Sequence, residues 1–505
     1  MRLLSPLCLS FALLLSSVVL NAQVNTNNDD EKYRPLAHFS PREKWMNDPN
    51  GMVYYKAIYH LFYQYYPDSS VWGPMHWGHA TSKDMIHWKR ESIKIFPDSV
   101  GMIFSGSAVV DVNNTSGFGK NGVVPLVAIF TQHNANDEKA GKNDYQNQSL
   151  AYSLDNGNTW TKYSGNPVLR SPGIRDFRDP KVSWYAPTKK WIMTLAVVDR
   201  IYFYSSPDLK NWIKESDFGE SAGAHGGVWE CPDLFPLEYN GKQVWVLIVS
   251  INPGGPNKGS GTQYFLGDFN GNKFSPYSTE TKWIDHGPDN YAGVTWSNTG
   301  KRKLFLGWMS NWSYAMIVPT ETWRSAMTIP RELRIVKVGD EMFVASSIVQ
   351  ELASIRSKPL VANNISLSKP FSIANSIKFP CLLNLSVDNI NGITITLSNE
   401  IGEKLVIGYD KQDDQYFIDR RSSGDTSFHT EFAGKHIAPR LTNAFKMDIS
   451  LLIDASSVEL FADGGLTTMT EIFFPTKPYI KIQVESADGA IMNKLEFVSL
   501  KNIWK

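Results

Sequence analysis

Three short segments hold carboxylates in settings suited to proton transfer or nucleophilic attack. In Trp45-Met46-Asn47-Asp48-Pro49-Asn50-Gly51, Pro49 pushes Asp48 toward extended backbone, and Asn50-Gly51 is a tight-turn pair. Asp48 is therefore expected at a strand start, with Trp45 offering a flat stacking face and Asn47 an amide for hydroxyl groups. Taken alone, the same run is also ideal loop composition. In Trp229-Glu230-Cys231-Pro232-Asp233-Leu234, Glu230 lies between a large aromatic and a thiol. Trp229 and Cys231 are then the expected neighbours that desolvate the carboxyl and raise its pKa, as a general acid requires. A glutamate hydrogen-bonded in a sheet wall fits the segment equally well. In Arg178-Asp179-Pro180 a fixed carboxylate could bind paired hydroxyls while Arg178 keeps it ionised. The commoner reading of such a run is a surface turn with a salt bridge. His76 and His79 have metal-ligand spacing but no third ligand beside them, so no metal is expected.

These segments need a scaffold that brings strand ends together. From about Tyr33 to Val338 the chain is a succession of short β-rich runs, such as 52–66, 124–131, 191–198 and 244–251, separated by Gly, Pro, Asn and Asp. A turn followed by tryptophan recurs: Ser82-Lys83-Asp84 before Trp88, Ser153-Leu154-Asp155 before Trp160, and Ser206-Pro207-Asp208 before Trp212. The spacing suits four-stranded blades with generous loops, and a stretch of this length holds five. Residues 339–357 are expected to link, with a short helical stretch near 350–355. Alternating apolar and polar positions at 393–397, 404–408 and 458–462 then point to a β-sandwich over 358–505. The fold class is all-β: a five-bladed β-propeller followed by a C-terminal β-sandwich.

Composition narrows the function. Fifty basic residues balance fifty acidic ones without a dense cationic run, which argues against nucleic acid as a partner. Sixteen tryptophans supply flat faces suited to sugar rings as well as to cores. Arg2, the apolar run from Leu3 to Leu20 and Ala22 read as a signal peptide over 1–22, so the protein is expected to be exported, periplasmic or extracellular, without a membrane span in the mature chain. Cys8 falls inside that peptide. Cys231 and Cys381, in different domains, are expected as free thiols.

Together the motifs resemble glycoside hydrolase family 32, the invertases, inulinases and levanases. The resemblance rests on WMNDPNG at 45–51, Gln64 in FYQ, Trp72, FSGS at 104–107, RDP at 178–180, WECPDL at 229–234, GWMSNW at 307–312, PREL at 330–333, and the sandwich segments 454–461 and 469–470. It implies a funnel-shaped pocket on the propeller axis, Asp48 as nucleophile, Glu230 as acid/base and Asp179 as the transition-state stabilising carboxylate. It implies a fructose subsite shaped by Trp45, Met46, Asn47, Gln64, Trp72, Phe104, Ser105 and Arg178, with an aromatic wall from Trp308 or Trp312. Asp289 and Tyr291 join as subsite residues, although Asn290 stands where many relatives carry Phe.

Three carboxylates in one apolar cavity cannot all ionise cheaply. Glu230 is the one expected to be raised, with Asp48 and Asp179 staying charged, which is the starting state of retaining hydrolysis. The implied activity is cofactor-free release of terminal fructose from levan- or inulin-type fructans and from sucrose. A fructosyltransferase using the same intermediate, an inactive fructan-binding protein or propeller lectin, and an arabinanase-like inverting enzyme are the alternatives. Linkage preference and oligomeric state leave no mark in these motifs.

Overall fold

Short apolar strands joined by tight turns form seven mainly antiparallel sheets in a computed structural model that describes residues 31–374, 377–388, 392–487 and 489–505. The expected signal peptide lies outside the described residues. Five sheets are blades, numbered here I to V, and their innermost strands are Lys44–Tyr55, Met102–Val110, Phe177–Tyr185, Val228–Tyr239 and Tyr291–Thr295. Each innermost strand packs against the next, and that of blade V returns to that of blade I, closing the ring. Strand Trp323–Arg324 adds to blade I in parallel beside Lys44-Trp45. The chain is therefore a five-bladed propeller with a sandwich behind it, as the composition of its strands implies.

The repeated Ser-Asp turns sit at one place in blades I, II and III, between third and fourth strands. In each the serine hydroxyl bonds the aspartate two residues on, at 3.1, 2.8 and 3.2 Å. Such side-chain turns stabilise the reversal locally, which is why the element recurs.

Asn50-Gly51 does not form a turn. Lys44–Tyr55 runs through it as one strand, so Asp48 lies inside the strand and not at its start. The hairpin turn is Lys56-Ala57, both with positive φ, the geometry that joins twisted strands in two residues. Gly51, at φ 54°, instead takes part in a bulge, and a Cβ there would come within 2.6 Å of Trp77. Pairing registers slip at comparable points in all five blades: between Met46 and Pro49, Ile103 and Gly106, Thr194 and Ala196 opposite Asp179, Glu230 and Asp233, and Tyr291 and Val294. Bulges bend a strand and re-aim its side chains. Here five of them ring the axis at one end.

The fifth blade extends beyond the expected boundary. Glu341–Ile348 pairs along its length with Arg331–Val338 as the blade's outer strand, so the connection to the sandwich shrinks to the 3₁₀ turn Gln350–Ile355 and its flanks. The apolar faces of the two strands keep 341–348 with the propeller. The sandwich has two six-stranded sheets whose inner faces bury Ile395, Leu405, Ile418, Leu451 and Leu460. A second core crosses the seam, where Leu382, Leu452, Phe461 and Val498 meet the apolar cluster of blades I and V. Among the described residues no helix is long and apolar enough to cross a membrane. Cys231 and Cys381 are free and buried.

Candidate active site

The bulged strand ends surround a pocket of about 340 Å³ at the axis. Asn47, Asp48, Gln64, Trp72, Phe104, Ser105, Arg178, Asp179, Glu230 and Trp312 all line it. Blade I presents Asp48, whose Oδ1 accepts from Asn47 Nδ2 at 3.0 Å and whose Oδ2 accepts from Ser105 of blade II at 2.7 Å. Trp45 Nε1 in turn holds the Asn47 carbonyl at 2.7 Å, leaving the amide to face Asp48.

Blade III contributes Asp179 in the left-handed region, at φ 64°. A non-glycine residue there is strained by an order of 1–3 kcal/mol, and its surroundings must hold it. Thr131 Oγ1 accepts the Asp179 N–H at 3.0 Å, and the carboxylate accepts the backbone N–H of Cys231 at 3.1 Å. Cys231 also has positive φ, and its thiol lies 3.6 Å from Asp48 Oδ2 and 3.7 Å from Asp179 Oδ2. One residue of blade IV thus ties together carboxylates from blades I and III.

Glu230 stands higher in the pocket. Its Oε1 accepts from Arg178 Nη2 at 2.9 Å and Nε at 3.3 Å, and its Oε2 accepts a short bond from the Tyr291 hydroxyl. Burial and the charge of Glu230 push the Tyr291 phenol far above its ordinary range, so it remains the donor. Arg178 reaches Asp176 at 2.6 Å but comes only within 4.0 Å of Asp179.

The electrostatics differ from the sequence expectation. Asp48 and Asp179, expected to stay charged, are the groups that shift upward. Burial is the main cause for Asp48, followed by the charge of Glu230; the bonds from Ser105 and Asn47 oppose it. Asp179 rises to about 7, driven by burial, resisted by Arg178, and raised further by Glu230 and Asp48. Trp229 does not desolvate Glu230. Strand alternation turns its indole away into a core between blades III and IV, where Nε1 donates to Ala224 O at 2.9 Å. Cys231 contacts the two aspartates and not the glutamate.

Several expected subsite residues stand behind the wall. Trp45 and Met46 are fully buried. Trp308 is buried against Trp312, ring centres 4.9 Å apart, while Trp45 stacks on Trp312 at 5.9 Å; these two indoles buttress the one that faces the pocket. Asp289 is not in the pocket. It sits in the seam, accepting from Arg420 Nη1 and the Tyr314 hydroxyl, each at 2.5 Å. His79 is buried, its Nε2 3.1 Å from His60 Nδ1 on the neighbouring strand, while His76 bonds the Pro74 carbonyl. Burial holds both His60 and His79 below the ordinary imidazole range.

The pocket also contains His133, Glu138, Gln146, Asp176 and Met316, which sequence reasoning passed over. Asp176 lies two residues before Arg178, a spacing that places side chains on one face of an extended chain, so it was within reach. The others come from second and third strands and long connections, where no motif points at the axis.

Residues 38–346 match the glycosyl hydrolases family 32 N-terminal domain, and residues 351–504 match the family 32 C-terminal domain. The chain is 43% identical to a levanase of Bacillus subtilis (strain 168), over 98% of this chain and 74% of that protein. It is 39% identical to the extracellular exo-inulinase of Aspergillus niger, over 92% and 93% of the two chains. The crystal structure of exo-inulinase from Aspergillus awamori superposes with a TM-score of 0.86 at 34% identity, covering 94% of this chain and 99% of that one. A fructofuranosidase of Schwanniomyces occidentalis complexed with fructosylnystose gives 0.86 at 32% identity, covering 95% and 99%. Matches that span both domains and nearly the whole described chain place this protein in glycoside hydrolase family 32.

Proposed function

We propose that the protein is an exported, exo-acting β-fructosidase that removes terminal fructose from levan- or inulin-type fructans and from sucrose through a covalent fructosyl intermediate. The observation that carries this reading is the convergence of Asp48, Asp179 and Glu230 from three blades, two of them joined through Cys231 and the third held by Arg178 and Tyr291. Asp48 attacks the anomeric carbon. Ser105 and Asn47 leave its carboxylate one rotational position, so attack needs little reorganisation. Glu230 gives its proton to the departing oxygen and later takes one from the incoming water. Asp179, fixed at the floor, accepts hydroxyl hydrogens of the fructosyl unit while positive charge builds on the ring. Four acids, Asp48, Asp176, Asp179 and Glu230, share the pocket with the single guanidinium of Arg178, and this excess of negative charge keeps a proton in the cluster for the acid step.

Exo-action fits a pocket floored by buried Asp179 and backed by buried Trp45 and Trp308, since only a chain end enters. The relatives named exo-inulinase agree with it, and the extracellular exo-inulinases agree with the leader-like segment at 1–22. Early digests of levan, inulin and sucrose test the reading. Free fructose should dominate, and NMR within the first minutes should show it as the β anomer. A ladder of fructo-oligosaccharides would sink exo-action; the α anomer would remove Asp48 as nucleophile.

A further inference from the structure

A fifth carboxylate of the pocket, Glu138, has no part in the chemistry above. It lies in the connection 134–145 between the second and third strands of blade II, on the helical turn Ala135–Lys139. This connection is internally braced. The Asn134 side chain accepts from the N–H groups of Asn136 and Asp137 at 3.1 and 3.2 Å, and Lys142 binds Asp137 at 2.6 Å. Below it, buried His133 stacks on Phe104 with ring centres 4.4 Å apart.

The protonation pattern is set by Gln146. Its Oε1 accepts the Phe177 N–H at 2.8 Å, so its Nε2 faces His133 Nδ1 at 3.2 Å and donates to it. The ring hydrogen then sits on Nε2, directed at Glu138 Oε2 at 3.0 Å. Burial outweighs the pull of Glu138 and keeps the imidazole below its ordinary range, hence neutral. Among the described residues the Oε1 of Glu138 has no hydrogen-bond partner.

Depth decides what meets that oxygen. The side chain of Asp179 is 5% exposed, that of Glu230 21% and that of Glu138 51%, which orders them from floor to mouth. A fructosyl unit held by Asp48 and Asp179 fills the floor, Glu230 reaches the glycosidic oxygen, and whatever lies beyond that oxygen passes the mouth. We propose that Glu138, braced by His133, accepts hydrogen bonds from hydroxyls of the departing sugar and so sets leaving-group preference. The inference rests on the exo-β-fructosidase reading.

Kinetics on substrates sharing the fructosyl unit test it. Wild type, Glu138→Ala, Glu138→Gln and His133→Phe are compared on sucrose, levan- and inulin-type trisaccharides and p-nitrophenyl β-D-fructofuranoside, with fructose as inhibitor. Glu138→Ala should lose about tenfold in kcat/KM on sugar leaving groups, mostly through KM, the factor one charge-assisted hydrogen bond supplies. The aryl substrate, which has no hydroxyl donor to lose, should suffer clearly less. Glu138→Gln should recover part of the loss, and His133→Phe, which keeps the stacking but drops the N–H, should reproduce part of it. Equal losses on aryl and sugar substrates, or fructose inhibition weakening in step with KM, would overturn the proposal. A wild-type protein inert toward every one of these β-fructosides would overturn the underlying reading and the inference with it.

Discussion

At the axial pocket, carboxylates from blades I, III and IV converge with one guanidinium, Arg178, which reaches only those of blades III and IV. At the seam between propeller and sandwich, buried acids are instead matched by bases. Arg331 binds Asp285 at 2.8 Å and Glu459 at 2.5 Å, Arg420 binds Asp289 at 2.5 Å, and His38 sits between Asp454 at 2.7 Å and Glu459 at 2.9 Å. All these seam side chains are essentially fully buried, so burial alone does not separate the two regions. The balance of charge does. At the seam, His38 and Arg331 pull Asp454 and Glu459 below the usual carboxylate range, and the two acids hold His38 up at about 9 against the full cost of its burial. At the pocket the same desolvation is only partly offset, and Asp48 and Asp179 rise. A network in which each of these acids touches a base serves the fold; one in which several acids crowd a single guanidinium keeps mobile protons available for chemistry.

The largest effect should come from the pocket and leave the fold alone. Glu230→Gln is expected to cost about 10²- to 10⁴-fold in kcat, and Asp48→Asn at least as much, on fructans and sucrose alike. Thermal denaturation of either variant should show a melting temperature equal to or above wild type, because an unmatched carboxylate has been neutralised. Near wild-type turnover in either variant would break the assignment. The converse holds at the seam. Arg331→Met strands Asp285 and Glu459, and removing one partner of a buried pair typically costs about 3–5 kcal/mol. Its melting temperature should fall steeply while activity per folded molecule, measured well below that temperature, survives.

Stability should fall with rising pH in both regions, but in different windows and for different reasons: at the seam a stabilising charge is lost, at the pocket a destabilising one is gained. His38, raised from 6.5 to about 9, contributes stability fully present below pH 6.5 and lost as pH rises through 9, roughly 3 kcal/mol in all. Asp179, raised to about 7, keeps a proton that the unfolded chain has already released above its ordinary value of 3.8. Its contribution therefore declines between those two values as pH rises. Melting curves from pH 4 to 10 should show Asp179→Asn without that decline. His38→Gln should be destabilised below pH 6.5 and converge on wild type above 9. Parallel curves for all three proteins would erase the distinction drawn between pocket and seam.

The blades were legible because three of the five repeat a local device, the Ser-Asp turn, and because strands and turns alternate along the whole propeller. The carboxylates were legible because each stands beside proline or within a run of unusual residues. What escaped depends on tertiary context. Positive φ at Asp179, Cys231 and Ala292 has no local signature in non-glycine residues, so the ring of bulges was invisible and Asn50-Gly51 read as a turn. Asp289 was assigned to the pocket because its partner, Arg420, lies 131 residues downstream in the other domain. Trp229 was the avoidable error. Period-two alternation already puts it on the face opposite Glu230.

The smallest effect tests the join within the pocket itself. The Cys231 thiol is buried, and burial with the nearby charges of Asp179 and Asp48 pushes its pKa far above the ordinary value, so it stays protonated. A thiol is a weak donor, but here one hydrogen serves two carboxylates, each accepting at more than 3.5 Å. A hydrogen bond to the charged form favours that form, so Cys231 offsets a little of the desolvation that raises both aspartates. Cys231→Ala removes it while the backbone N–H bond to Asp179 remains. The acidic limb of the kcat/KM profile, which reports the free enzyme, should move upward by a fraction of a pH unit, and the plateau should fall by well under the losses at Glu230. Because the carboxylates titrate together, the moved midpoint belongs to the cluster and to no single residue. A downward shift, or none, would show that the thiol only fills space between blades I, III and IV.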